Sequence, residues 1–143
     1  MLRLNVIWVF NPKSDKVLMC KRHKEPYLGL FNLVGGKIEE DEAGLVAAYR
    51  ELQEETGITT SQLTEELRHL MDFSYFCDAD YPDGVLVEVY VGKLAAEVPV
   101  FGDEKELLWL DVDDNFFDMS RFAGEGNMGH IFEIIKLSCS DLM

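Results

Sequence analysis

The segment GKIEEDEAGLVAAYRELQEETGI, residues 36–58, ends in three glutamates, Glu51, Glu54 and Glu55, spaced three and four apart. Residues 42–56 carry helical periodicity, with acidic residues at the start and Gly57 just past the end. At about 100° per residue, Leu45, Ala48, Tyr49 and Leu52 share one side and form a core stripe. The three glutamates fall within an arc of roughly 100° beside that stripe. Like charges at these spacings repel by about 0.2–0.5 kcal/mol per pair, and anions in a last turn oppose the helix dipole by about 0.3–1 kcal/mol each. Arg50 offsets only part of this. One reading is a solvated acidic face. The other is a hard divalent cation, Mg²⁺ or Mn²⁺, held by converging carboxylates and by the phosphates of a substrate. Spacing alone leaves both open.

Composition narrows the partners. The chain has 143 residues, enough for one domain with a sizeable core, and a single domain over residues 1–143 is expected. Twenty-seven acidic residues stand against 13 basic ones, a net charge of −14. Such a surface repels a nucleic-acid polymer, whose binding depends on backbone neutralisation. A small nucleotide stays open, because a metal ion masks charge on both sides. No apolar run approaches the roughly 18 residues of a membrane helix, and the N-terminus lacks a signal-peptide pattern, so cytoplasmic residence is expected. The three cysteines, Cys20, Cys77 and Cys139, have no metal-ligand spacing and read as free buried thiols.

Turn chemistry at NPKSDK (residues 11–16) predicts a hairpin between strands at 3–10 and VLMCKR, and YPDG (81–84) predicts another between 68–77 and 84–93. A short apolar stretch, FNLV, precedes Gly35-Gly36, and LLWLDV reads as a late strand. MGHIFEIIKLSC reads as a helix with Ile131, Ile134, Ile135 and Leu137 toward a core. Mixed strands with two flanking helices predict an α/β sandwich on a mixed sheet.

From Gly36 the spacing is a glycine, five residues, Glu42, seven residues, then Arg50-Glu51-Leu52-x-Glu54-Glu55-x-Gly57-Ile58. This resembles the Nudix box of the Nudix hydrolases at every defined position over 23 residues. The resemblance implies an α/β/α sandwich and a Mg²⁺- or Mn²⁺-dependent hydrolase of nucleoside diphosphates linked to another group. It implies that Glu51, Glu54 and Glu55 bind metal together with the backbone carbonyl of Gly35. Arg50 would orient Glu51, Glu42 would support the loop–helix junction, and Gly57 would end the helix in a left-handed conformation. A further glutamate from the loop before the late strand is expected, Glu104 or its rival Glu106. Which glutamate serves as general base is left open.

YLGLFNLVGGKIEEDE further resembles MutT-type enzymes that clear oxidised purine nucleotides. That resemblance implies base contacts from Asn32 and from Asn127, which precedes the last predicted helix. Asn127 equally suits a helix N-cap, and Asn32 a strand-end residue satisfying backbone. Arg22, in the basic cluster KRHK, and Lys37 would approach phosphates; a solvated strand end is the other reading of the cluster. Tyr27, Phe31 and Phe122 suit either base stacking or core packing. The leading expectation is a nucleoside triphosphate pyrophosphohydrolase, with 8-oxo-dGTP as a plausible substrate, working as a monomer or homodimer. The alternatives are a Nudix hydrolase of a nucleotide sugar or ADP-ribose, and a non-catalytic nucleotide sensor.

Overall fold

The turn at residues 11–16 reverses the chain as expected. In the computed structural model, which describes residues 1–102 and 105–143, Asn11 Oδ1 accepts the backbone N–H groups of Asp15 and Lys16 at 3.0 and 2.9 Å. This closes the hairpin of β1 (Leu2–Phe10) and β2 (Lys16–Lys21). The two strands pair in register only at Phe10 and Val17; beyond that point they part. β1 finds its long partner in β5 (Val85–Lys93), parallel from Leu2 against Val85 to Phe10 against Lys93. β5 in turn pairs antiparallel with β4 (Arg68–Tyr75).

β2 carries β6 (Glu106–Asp111) along its whole length and β3 (Phe31–Leu33) along part of it. Residues 34–38 then cross from β2 to β1 and fill the split. Ile7 N–H donates to the Val34 carbonyl at 2.8 Å, Asn5 N–H to Gly36 at 2.8 Å, and Ile38 N–H to Arg3 at 2.9 Å. The result is a six-stranded mixed sheet between α1 (Gly44–Thr56) and α2 (Asn127–Ser138), an α/β/α sandwich.

Alternation of side chains along β1 supplies both cores. Trp8 and Phe10 join Met128, Ile131 and Ile135 on the α2 side. Ile7 and Val9 join Ala48 and Leu52 on the α1 side. Among the described residues no helix is long and apolar enough to cross a membrane.

Three expectations need correction. α1 starts at Gly44 with no acid in its first turn, because Glu42 lies outside the helix and folds its carboxylate back onto Arg50. Leu137 is 85% exposed. It follows Ile135 by two residues, about 200° around the helix, and Phe132 takes the core position instead. Cys77 is exposed, whereas Cys20 and Cys139 are buried; all three are free.

Candidate active site

The site grows from a corner of two glycines. Gly35 has φ +150°, and a β-carbon there would overlap the backbone carbonyl of Asn5. At Gly36 a β-carbon would overlap the carboxylate of Glu51. Gly35 therefore demands glycine, because it meets β1 backbone, whereas a side chain at Gly36 would displace the carboxylate end of Glu51 on α1. The Asn5 side chain completes the corner, its Oδ1 accepting the Gly36 N–H at 2.9 Å. α1 ends where the sequence places its stop: Gly57 has φ +80° and its N–H caps the Gln53 carbonyl.

Arg50 ties the acidic face together. Its Nε and Nη2 hold both oxygens of Glu42 at 2.8 and 2.9 Å, a bidentate fork. Its Nη1 donates to Glu51 at 3.0 Å and to Glu54 at 3.2 Å, and Nη2 also donates to the Lys37 carbonyl at 2.9 Å. The guanidinium and the Glu39 N–H hold the Glu42 carboxyl down at about 2. Burial pushes the Glu51 carboxyl up, opposed by Arg50 and reinforced by the Glu54 and Glu55 charges. Lys105 stands 3.3 Å from Glu55. Glu51, Glu54 and Glu55 are oxygen donors of the kind a hard Mg²⁺ or Mn²⁺ ion takes. Glu51 lies beside Gly36, but the three carboxylates do not all converge within 4.8 Å of one another, Glu54 turning to Arg50 and Glu55 to Lys105.

A cavity of about 740 Å³ reaches this corner, within the size range of small-molecule sites. Gly35, Gly36 and Lys105 line it, so it abuts the residues touching Glu51 and Glu55. Its wall includes Leu33, Met128 and Ile131 of the α2-side core and Cys20 of the α1-side core. It therefore spans the sheet where β1 and β2 part.

Arg22, Asn32 and Asn127 all line this one cavity. Arg22 donates from Nε to the Pro26 carbonyl at 2.7 Å. Asn32 Oδ1 accepts the Leu33 N–H at 2.9 Å. Asn127 is the first residue of α2, and the cap position belongs to Gly126, so the N-cap reading does not hold. Lys37 is exposed and is not part of the cavity wall. Glu106 is exposed at the start of β6, with His23 3.8 Å away; Glu104 lies outside the described residues. Tyr27 lines the cavity and its hydroxyl meets both Glu125 oxygens at 2.7 Å. Phe122 is buried at 1% exposure, a core residue.

Several contacts have no sequence signature. Asn5 is 2% exposed, although nothing in the sequence of β1 marks it as a buried polar group. His69, Asp72 and Glu88 bring three donor atoms within 4.8 Å of one another, close enough to coordinate a divalent ion. They meet only because β4 and β5 pair in this register. Glu88 already accepts Tyr90 at 2.6 Å and Arg3 at 3.0 Å. It packs against Gly44 at the start of α1, remote in sequence from Glu51, Glu54 and Glu55.

Residues 1–130 match the NUDIX domain family. The chain belongs to the Nudix family. Among curated proteins, this Nudix chain is 30% identical over 103 residues to an ADP-ribose pyrophosphatase of Methanocaldococcus jannaschii, covering 71% of the chain and 58% of that protein. The chain thus spans a little over half the length of that relative. Among solved structures, an Ap4A hydrolase of C. elegans superposes with TM-score 0.77 at 18% identity, covering 99% of both chains. A bifunctional NMN adenylyltransferase/ADP ribose pyrophosphatase of Francisella tularensis superposes with TM-score 0.75 at 23% identity, covering 96% of this chain and 41% of that one. The last two likenesses concern the Nudix fold alone.

Proposed function

We propose that the chain hydrolyses the phosphoric anhydride of a nucleoside diphosphate linked to a further group, with ADP-ribose the first substrate class to test. The observation that carries this is the junction of cavity and acidic face: Gly36 lines the cavity, and Glu51 lies directly behind it. The 30% identical ADP-ribose pyrophosphatase supports the substrate class.

Water attacks one phosphorus of the diphosphate; a new P–O bond forms, the bridging P–O bond breaks, and two phosphomonoesters leave. Phosphoryl transfer of this kind asks a protein for positioning and electrostatic stabilisation. A bound Mg²⁺ or Mn²⁺ would neutralise phosphate charge and lower the pKa of the attacking water. Glu51, Glu54, Glu55 and the Gly35 carbonyl would hold it. Arg50 fixes the carboxylate of Glu51, and one carboxylate of the face takes the proton of the attacking water. Arg22 and Lys105 supply positive charge along the cavity wall.

A second reading, an oxidised purine nucleoside triphosphate such as 8-oxo-dGTP, draws on one observation: Asn32 and Asn127 line the same cavity. Two side-chain amides can read both donor and acceptor edges of a base. Purified protein with Mg²⁺ is offered ADP-ribose, nucleotide sugars, dGTP and 8-oxo-dGTP. AMP plus ribose phosphate from ADP-ribose supports the first reading; pyrophosphate from 8-oxo-dGTP, with little from dGTP, supports the second. No turnover of any diphosphate, with Glu54→Gln binding nucleotides as the parent does, would leave only a non-catalytic sensor.

A further inference from the structure

Asn5 is 2% exposed and lines the cavity, yet its buried Nδ2 has no hydrogen-bond partner among the described residues. Leaving a buried amide N–H₂ unpaired is costly and rare. Its orientation is nonetheless fixed, because the Gly36 N–H can only meet an acceptor, and Oδ1 takes that place at 2.9 Å. The Asn5 backbone N–H holds the Gly36 carbonyl at 2.8 Å, so one residue grips both polar groups of one glycine. On the far side of Gly36 stands the Glu51 carboxylate, and the Asn5 carbonyl blocks Gly35 from carrying a side chain. The order is Asn5, glycine corner, Glu51. An aliphatic side chain at position 5 would remove the orphaned donor but also the acceptor of the Gly36 N–H, leaving Gly36 held to β1 by the backbone bond alone.

We propose that Asn5 is a positioning residue, which holds the Gly35–Gly36 backbone against Glu51 so that the Gly35 carbonyl and the Glu51 carboxylate address a common cation. The proposal rests on the metal-dependent reading above. Asn5 acts through the glycine corner and needs no contact with substrate.

The test uses Asn5→Leu and Asn5→Ala as loss variants and Asn5→Asp, which keeps the acceptor, as the rescue. Readouts are Mn²⁺ affinity of the nucleotide-free protein by calorimetry, exchange of the Gly36 amide by NMR, and kcat and KM on the best substrate. Whichever loss variant folds is expected to bind Mn²⁺ at least 10-fold more weakly and to exchange Gly36 at least 10-fold faster. Its kcat is expected to fall more than its KM changes, and Asn5→Asp to recover Gly36 protection and metal affinity. Mn²⁺ affinity equal to wild type in a folded loss variant overturns the proposal, even if Gly36 exchange speeds up. So does an Asn5→Asp protein as impaired as Asn5→Leu. A wild-type protein that neither binds Mn²⁺ nor cleaves any diphosphate brings down the functional reading itself, and this inference with it.

Discussion

The Glu51 carboxylate lies so close to the Gly36 backbone that no β-carbon fits between them. A residue eight positions before α1 and a residue two turns into it are thereby brought into direct contact. Gly36→Ala is expected to push the Glu51 side chain off its place. Because the clash falls on the end of a flexible side chain, the overpacking cost is expected to stay at or below about 1 kcal/mol, whereas turnover is expected to drop on the order of 100-fold, as a 1 Å misplacement does. Chemical denaturation beside steady-state kinetics checks both figures. Near-wild-type turnover in Gly36→Ala would mean that the close approach has no functional weight.

Glu54 separates function from stability more cleanly. Its side chain is 59% exposed and its partner is Arg50 at 3.2 Å; surface pairs of this sort contribute about 0–1 kcal/mol. Removing the charge also relieves repulsion from its neighbours on the helix, by about 0.2–0.5 kcal/mol per pair. Glu54→Gln is therefore expected to unfold within about 1 kcal/mol of wild type while losing most of its activity. A thermal melt and a rate measurement on one preparation decide it; parallel loss of both would point to a structural glutamate.

Metal should stabilise the fold through the same face. A ligand that binds only the native state adds about 2.7 kcal/mol at 100 times its dissociation constant. Titration of Mg²⁺ into the nucleotide-free protein is expected to raise Tm, and Glu51→Gln or Glu54→Gln to flatten the response. An equal rise in both variants would direct attention to another site, with His69→Ala as the control for the His69, Asp72 and Glu88 group.

Acid should weaken the junction before α1. Arg50 holds the Glu42 carboxyl at about 2, below its ordinary 4.5. A depressed carboxyl contributes stability that is fully present above the unfolded value and lost as pH falls through the folded one. The Glu42 contribution is thus complete above about pH 4.5 and vanishes toward pH 2. Urea melts at several pH values between these limits are expected to converge for wild type and Glu42→Gln as pH drops. Curves that stay parallel would show that Glu42 is not the titrating group.

Much of α1 was legible because its information is local. Periodicity placed the stripe of Ala48 and Leu52, both buried, and Gly57 marked the end of α1. Turn residues likewise gave both hairpins. An α/β sandwich on a mixed sheet followed from the order of elements, and the Nudix spacing led to the family and to the α/β/α layering. What stayed hidden was non-local. β1 and β5 pair in parallel across some 80 residues of chain, and no period records such a partner. Asn5 and Asp72 look like ordinary polar strand residues until residues 34–38 return beside one and β5 beside the other. Glu42 was expected to support the loop–helix junction, but counting it within the helix was wrong. A glutamate at the start of a periodic run looks like a favourable first-turn acid, and the pull of Arg50 eight residues on is invisible locally.

The hairpin of β1 and β2 is joined at a single register point and open beyond it. A molecule seated in the opening would touch two layers of the protein that share few residues. The carboxylates belong to α1 and its core, whereas Asn127 and Glu125 belong to α2 and the loop before it. On the proposed reading, substitutions in the second layer would change which molecule is held while leaving the acidic face of the first undisturbed.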